Sequence, residues 1–297
     1  MTDPALSFEP HRRRLLGLAY RMLGSVSEAE DAVQDAYLRW HAADRDAVSD
    51  TRAFLTTTTT RICLDMLKSA RARRETYVGP WLPEPVLDTD ALAPDTQTEL
   101  AEDLSIALLL ALDRLSPLER AAFLLHDVFD CSFSEVARAL DRSEAACRQL
   151  ASRARTHVRE ARPRATSTIQ EASELSNHQQ LVSTFVNASR SGDLQTLMGL
   201  LADDVRLMTD GGGKVPAALN VIEGADRTAR FIVGAVSKGL PEGSIIRIAE
   251  INGLPGLIVY RPDGSVQSVA FEIAHNLVRS IYAVSNPEKL LHLVPSA

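Results

Sequence analysis

Residues 115–163 constrain the fold more than any other part of the chain, because their pattern specifies three short helices in a fixed order. Ser116-Pro117 opens the first, with serine suited to the cap and proline to the first helical position. Leu118, Ala122, Leu125 and Phe129 follow near helical spacing. Asp130-Cys131-Ser132 interrupts the pattern, and a second helix follows with Phe133, Val136, Ala137 and Leu140 expected inward. Asp141-Arg142 makes a tight turn and Ser143 caps a third helix. Ala146, Leu150, Ala154 and Val158 form its narrow apolar seam. Its other face carries Arg148, Ser152, Arg155 and Arg159, flanked by Gln149 and Arg153. A helix seated on two others with arginine, glutamine and serine outward is what a helix-turn-helix presents to a DNA major groove.

The net charge of −7 argues against a polyanionic partner until its distribution is counted. Residues 1–74 carry 12 basic and 10 acidic side chains, and residues 114–164 carry 10 and 7. The intervening 75–113 has nine acids and no Lys or Arg. Two basic modules are thus separated by an acidic tether, and the local field governs binding more than the total. At 297 residues the chain exceeds one typical domain. No apolar run approaches the ~20 residues of a membrane span, and Met1–Arg14 lacks the apolar centre of a signal peptide, so a cytoplasmic location is expected. Cys63, Cys131 and Cys147 are odd in number, far apart and set in helical patterns, which fits packing rather than disulfide or zinc chemistry.

The first module reads as three helices. Arg12–Leu23 ends at Gly24, and Ser27 with Glu30 suggests a capping box for a second helix running to about His41. That helix offers Asp31, Gln34 and Asp35 outward and Trp40 largely inward. A third helix spans about Asp50 to Arg74 despite the β-branched run Thr56–Thr60, because Phe54, Leu55, Ile62 and Met66 flank it at helical intervals. Its second half is basic, with Arg61, Lys68, Arg71, Arg73 and Arg74, a cluster suited to neutralising phosphates.

Here a resemblance becomes specific. Asp31-Ala-Val-Gln-Asp-Ala-Tyr-Leu-Arg-Trp40 resembles the polymerase-binding helix of extracytoplasmic-function sigma factors, group IV of the sigma-70 class. Thr51-Arg-Ala-Phe-Leu55, Arg61-Ile-Cys-Leu-Asp65 and Ser69-Ala-Arg-Ala-Arg-Arg74 resemble their −10-reading region. Leu115-Ser-Pro-Leu-Glu-Arg120 through Arg155 resembles their −35-reading helix-turn-helix. The resemblance implies that Asp31, Gln34, Asp35 and Trp40 shape a surface for core RNA polymerase. It implies that Arg61, Lys68, Arg71, Arg73 and Arg74 hold the −10 strand, and that Arg148, Gln149, Ser152, Arg153 and Arg155 contact the −35 element.

Downstream, Trp81-Leu-Pro-Glu-Pro85 cannot be regular helix, and its tryptophan and leucine need a surface to bury against. A helix is expected near Thr98. Beyond a polar stretch, helices at 177–190, 193–201 and 224–238 surround a strand at 205–209 and precede strands at 244–252, 257–261, 266–275 and 277–284. This order suggests a curved α+β domain. It resembles the SnoaL-like cone carried as an extension by a subgroup of sigma factors, whose signatures Trp81–Pro85, Asp210-Gly-Gly-Gly-Lys214 and Asn286-Pro-Glu-Lys-Leu290 resemble. Asp210 and His275 are the candidates for acid–base work there, but one aspartate beside three glycines is first of all a turn. The glycine run lacks the order of a phosphate-binding loop.

The expected architecture is therefore multidomain: two all-α sigma domains, the second a helix-turn-helix, and a C-terminal α+β SnoaL-like cone. The boundaries fall at 1–78, a linker 79–113, 114–163, a linker 164–176, and 177–297. The expected function is promoter-directed initiation with core RNA polymerase and promoter DNA as partners, with no membrane partner and no cofactor, metal or catalytic residue. Control in cis is assigned to Trp81, Pro83, Asp210, Gly211, Gly212, Gly213 and Lys214, through contact with the tether or first module. The competing reading is a one-component regulator whose helix-turn-helix binds an operator and whose C-terminal domain binds a small ligand.

Overall fold

Caps decide where the first helices begin. In a computed structural model that describes residues 3–75, 77–87, 92, 104–161 and 172–294, with backbone alone for 69–75 and 172–176, helix α1 spans Pro4–Leu23. Asp3 accepts from the amide of Ala5 at 2.9 Å, Pro4 takes the first position, and Gly24 at φ 72° closes the helix. The expected start at Arg12 is eight residues late, because Pro10 is accommodated inside the helix once Asp3 and Pro4 have started it. Helix α2 spans Val26–Ala42. Its cap is Ser25, bonded to the Glu28 amide at 3.1 Å, so the Ser27–Glu30 box does not form. Helix α3 spans Thr51–Glu75, with the Asp50 carboxylate accepting from Ala53 at 2.9 Å. The threonine run stays helical because Thr56, Thr59 and Thr60 are buried, and the Thr60 hydroxyl donates back to the Thr56 carbonyl at 2.8 Å.

Helix α4 (Ile106–Asp113), capped by Ser105, lies within the expected linker. The three helices of the central motif are α5 (Pro117–Phe123), α6 (Phe133–Leu140) and α7 (Glu144–Ala161). Reciprocal capping boxes join Ser116 to Glu119 and Ser132 to Glu135. A π-helical turn, Leu124–Val128, extends α5, and Asp130 and Asp141 take left-handed conformations (φ 53°) at the two breaks. The seam of α7 is Cys147, Leu150, Ala151, Ala154 and Val158, with Ala146 only half-buried. In α6, Ala139 is buried in place of the expected Ala137.

Helices α1–α7 form one compact unit, residues 1–75 and 88–164, which contains both basic modules of the sequence. Arginines join its halves. Arg14, 3% exposed, donates to the Phe129 carbonyl and sits 5.0 Å from that ring. Arg120, 4% exposed, donates to the Met22 carbonyl at 2.5 Å and to Asp113 at 3.0 Å. Burial pulls the Arg120 pKa down to about 10, still well above neutrality. Arg21 donates to the Leu92 carbonyl at 3.0 Å. These side chains answer main-chain acceptors that would otherwise be buried without partners.

The second unit comprises residues 76–87 and 165–297. Its helices are α8 (Ala172–Ser191), α9 (Leu194–Leu200) and α10 (Ala225–Gly239). Its strands are β1 (Leu201–Asp210), β2 (Ile222–Glu223), β3 (Ile245–Ile251), β4 (Leu254–Tyr260), β5 (Val266–Ala274) and β6 (Leu277–Val284). They order as β2-β1-β6-β5-β4-β3, antiparallel except for β1 with β6. Leu181, Val182 and Phe185 of α8, Leu197 of α9 and Ala229 of α10 pack with Leu207, Leu257, Phe271 and Ile281 on one sheet face. This is the α+β arrangement that the strand and helix order implies. The helix expected near Thr98 and the polar stretch 162–171 lie outside the described residues.

The capping boxes give a first test. Hydrogen bonds from Ser132 hold the Glu135 carboxyl below its usual 4.5. A depressed folded pKa contributes stability that is present above the unfolded value and is lost as pH falls through the folded one. Ser132→Ala should lower the stability of the full chain by about 1 kcal/mol at neutral pH. In urea denaturation that deficit should shrink as pH is lowered past 4.5.

Candidate nucleic-acid interface and linker clamp

Three faces of the helical unit carry the residues singled out by sequence. On α2, Asp31, Gln34 and Asp35 are exposed beside Leu38, which is 56% exposed. Trp40 does not share that face. It is buried, donates its indole N–H to the Ser7 hydroxyl at 3.0 Å, and packs 5.4 Å from the Phe54 ring. Its helical position points it between α1 and α3, so it supports the α2 surface from beneath.

The basic end of α3 divides. Arg61 donates to the carbonyls of Ala139 at 3.1 Å and Arg138 at 2.7 Å, at the C-terminal end of α6. There it complements the negative end of the helix dipole. Lys68 is exposed and pairs with the exposed Asp65, an interaction of little energy. The backbone of Arg71, Arg73 and Arg74 continues α3, and their side chains lie outside the described residues.

On α7, Arg148, Gln149, Ser152 and Arg153 are exposed together and Arg155 is half-buried at their edge. Each arginine has a carboxylate neighbour. Arg148 meets Glu144 at 2.7 Å and lies 5.1 Å from the Phe133 ring centre. Arg153 meets Glu119 at 3.0 Å, and Arg155 meets Asp127 at 2.6 Å. Burial raises the Glu119 pKa, but bonds from Ser116 and the Arg153 charge outweigh it and hold the carboxyl below its ordinary value.

The second unit holds a different cluster, and it captures the linker. Asp210, fully buried at the end of β1, accepts the Tyr77 hydroxyl at 2.5 Å and the Gly212 amide at 3.1 Å on one oxygen. Its other oxygen takes the Leu82 amide at 2.8 Å and the Lys289 ammonium at 2.7 Å. Lys289 also donates to the Leu82 carbonyl and lies 4.4 Å from the centre of the Trp81 ring. Asn286 donates to the Tyr77 oxygen at 2.9 Å. Burial and the adjacent carboxylate push the Tyr77 phenol well above its ordinary pKa, so it remains a donor. At the strap's far end, Val86 exchanges two bonds with Asn252: its amide donates to Oδ1 at 3.0 Å, and its carbonyl accepts the Asn252 amide at 2.8 Å. His292 donates to the Pro85 carbonyl at 2.8 Å.

The glycine run serves close approach. At Gly212 (φ 61°) a Cβ would fall 2.3 Å from the Asn286 amide nitrogen, and at Gly213 (φ 71°) it would press on Val78 at 3.1 Å. Of the residues assigned to control, Trp81, Pro83, Asp210, Gly212 and Gly213 therefore meet at or beside this clamp, with Pro83 buried in the strap and Gly211 tight against the Val215 carbonyl. Among the described residues, Lys214 makes no bond to the tether. It pairs with Glu288, two residues from Asn286. Tyr77, Asn252 and Lys289 were missed; the signal available for Lys289 was a cation inside the Asn286–Leu290 segment. His275 is not a strand residue but the exposed first position of the β5–β6 turn, at φ 54°. It sits at the opposite end of β6 from Asp210, whose register partner is Val284, so the two candidates for acid–base work do not converge.

Comparison with known proteins follows this geometry. Residues 8–73 match the family model for Sigma-70 region 2, and residues 105–158 match that for Sigma-70, region 4. The chain is similar to the ECF RNA polymerase sigma factor SigJ of Mycobacterium tuberculosis, 41% identical over 95% of this chain and 91% of the relative. It is 30% identical to the probable ECF RNA polymerase sigma factor SigI of the same organism, over 97% and 95%. The crystal structure of Mycobacterium tuberculosis SigJ superposes with a TM-score of 0.72 at 36% identity, covering 96% of this chain and 97% of that one.

Asp210→Ala leaves a buried ammonium without its counter-ion and should cost about 3–5 kcal/mol. In a Trp40→Phe background, the Trp81 fluorescence should shift to the red as the strap leaves its seat.

Proposed function

The chain belongs to the extracytoplasmic-function sigma factors of RNA polymerase, and on that premise we propose how its parts divide the work. The exposed face of α2, with Asp31, Gln34, Asp35 and Leu38, docks on core polymerase, while Trp40 holds that helix in register. The cationic end of α3, Lys68, Arg71, Arg73 and Arg74, holds the −10 strand. Arg61 joins them only when it leaves the α6 carbonyls. Arg148, Gln149, Ser152, Arg153 and Arg155 of α7 read the −35 element. The C-terminal domain is non-catalytic and acts in cis by gripping the linker at Tyr77–Val86.

One observation supports this division above the rest: the backbone of Leu82 is bonded on both sides to the Asp210–Lys289 pair. A linker so held cannot extend freely. Among the described residues no helix is long and apolar enough to cross a membrane.

Transcription with purified core polymerase from a dependent promoter tests these roles. Asp35→Ala should weaken core binding in a pull-down while circular dichroism stays unchanged; equal affinity would remove α2 from the docking surface. Arg148→Ala should lower output from the dependent promoter several-fold, consistent with about 1–3 kcal/mol per bidentate base contact. Unchanged output would remove that residue from the reading face.

A further inference from the structure

The reading face of α7 is backed by two acids whose arrangement differs from an ordinary surface ion pair. Asp127 and Glu119 are 16% and 13% exposed at the side chain, whereas their partners Arg155 and Arg153 are 39% and 60% exposed. In both pairs the carboxylate faces the guanidinium at Nε, at 2.6 Å for Arg155 and 3.0 Å for Arg153. A guanidinium has five N–H donors. Holding it by Nε–H leaves the two terminal nitrogens as a planar fork, the part that matches guanine or a phosphate bidentately. The Arg148–Glu144 pair is different, being formed within α7 by a terminal nitrogen between two exposed side chains.

The backbone is arranged around both acids. Asp127 lies in the π-helical turn, where Phe129 N–H bonds to the Leu124 carbonyl at 2.9 Å, five residues back. The extra residue shifts the helical phase by about 100° relative to a continued α-helix, which turns Asp127 toward α7. Its second oxygen is buried and has no hydrogen-bond partner among the described residues. Such a group is costly unless it serves a purpose. Glu119 divides its oxygens: Oε2 accepts from the Ser116 hydroxyl at 2.7 Å, and Oε1 faces Arg153. The start of α5 and the aim of Arg153 are thereby fixed by one side chain.

We infer that Asp127 and Glu119 are positioning residues for promoter recognition, holding Arg155 and Arg153 by Nε so that their terminal forks are aimed at DNA. This rests on the assignment of α7 to the −35 element. It adds a specificity role for two residues outside the reading helix. A pre-aimed fork loses less freedom on binding, and a carboxylate behind it reduces attraction to any phosphate that lacks the matching base edge.

Asp127 gives the cleaner test, because Glu119 also caps a helix. Holoenzyme reconstituted from core polymerase and the full chain is titrated with promoter duplexes carrying the cognate or a scrambled −35 element, across a salt series. Asp127→Ala should reduce the cognate-to-scrambled affinity ratio about tenfold, the size of one bidentate contact. Affinity for the scrambled duplex should hold or rise, with an equal or steeper salt slope. Asp127→Asn, which keeps an acceptor at the same place, should recover most of the ratio. Arg155→Ala should lower the ratio as far as Asp127→Ala while flattening the salt slope. A ratio within twofold of the parent for Asp127→Ala, alongside a loss for Arg155→Ala, would overturn the positioning role and leave the α7 assignment standing. Equal loss on both duplexes would assign Asp127 to stability alone and also overturn it. An unchanged ratio for Arg155→Ala would overturn the assignment of that residue to the reading face.

Discussion

The buried Asp210–Lys289 pair organises the whole C-terminal unit and the linker together. Neither ion would be stable alone in that interior, and their attraction is supplemented by further hydrogen bonds to both partners. The four groups that complete Asp210 come from Tyr77, Leu82, Gly212 and Lys289, so a sheet end, a glycine turn, the C-terminal segment and the linker are fixed by one carboxylate. From the end of β1 the strap runs to Asn252 at the β3–β4 turn, bonded at Leu82 and again at Val86. The strap is a ligand that happens to be part of the same chain.

A second device recurs in the helical unit. Arg14, Arg21, Arg61 and Arg120 donate to main-chain carbonyls, and Arg120 also meets the Asp113 carboxylate. Joints of this kind are specific in geometry and moderate in energy. Arg61 illustrates the consequence, because the side chain expected on DNA is occupied by α6 instead.

The sequence was most legible where backbone geometry is dictated locally. Gly24, Ser116-Pro117, Ser132, Ser143 and Asp193 mark element ends that the structure reproduces, because capping depends on neighbours within three residues. The four C-terminal strands follow from alternation and turn residues. Legibility failed where the partner is distant in sequence. Tyr77 and Asp210 are separated by 133 positions and Leu82 and Lys289 by 207, and no local pattern links them. Thus Trp81–Pro85 read correctly as a segment seeking a surface, but the surface itself and the role of Lys289 did not. The bonds of Arg61 to the α6 carbonyls could not be read for the same reason, their acceptors lying 77 and 78 positions away, whereas the inward place of Trp40 was legible from its helical position.

Backbone hydrogen exchange of the full chain at Leu82 and Val86 tests the central claim most directly. These two amides are bonded to Asp210 and Asn252 and are not part of any helix or strand. The account predicts strong protection at both, abolished together in Asp210→Ala while the amides of α1 and α2 keep theirs. Exchange at both positions as fast as in an unstructured peptide, in the unsubstituted chain, would mean that the C-terminal domain does not hold the linker at all.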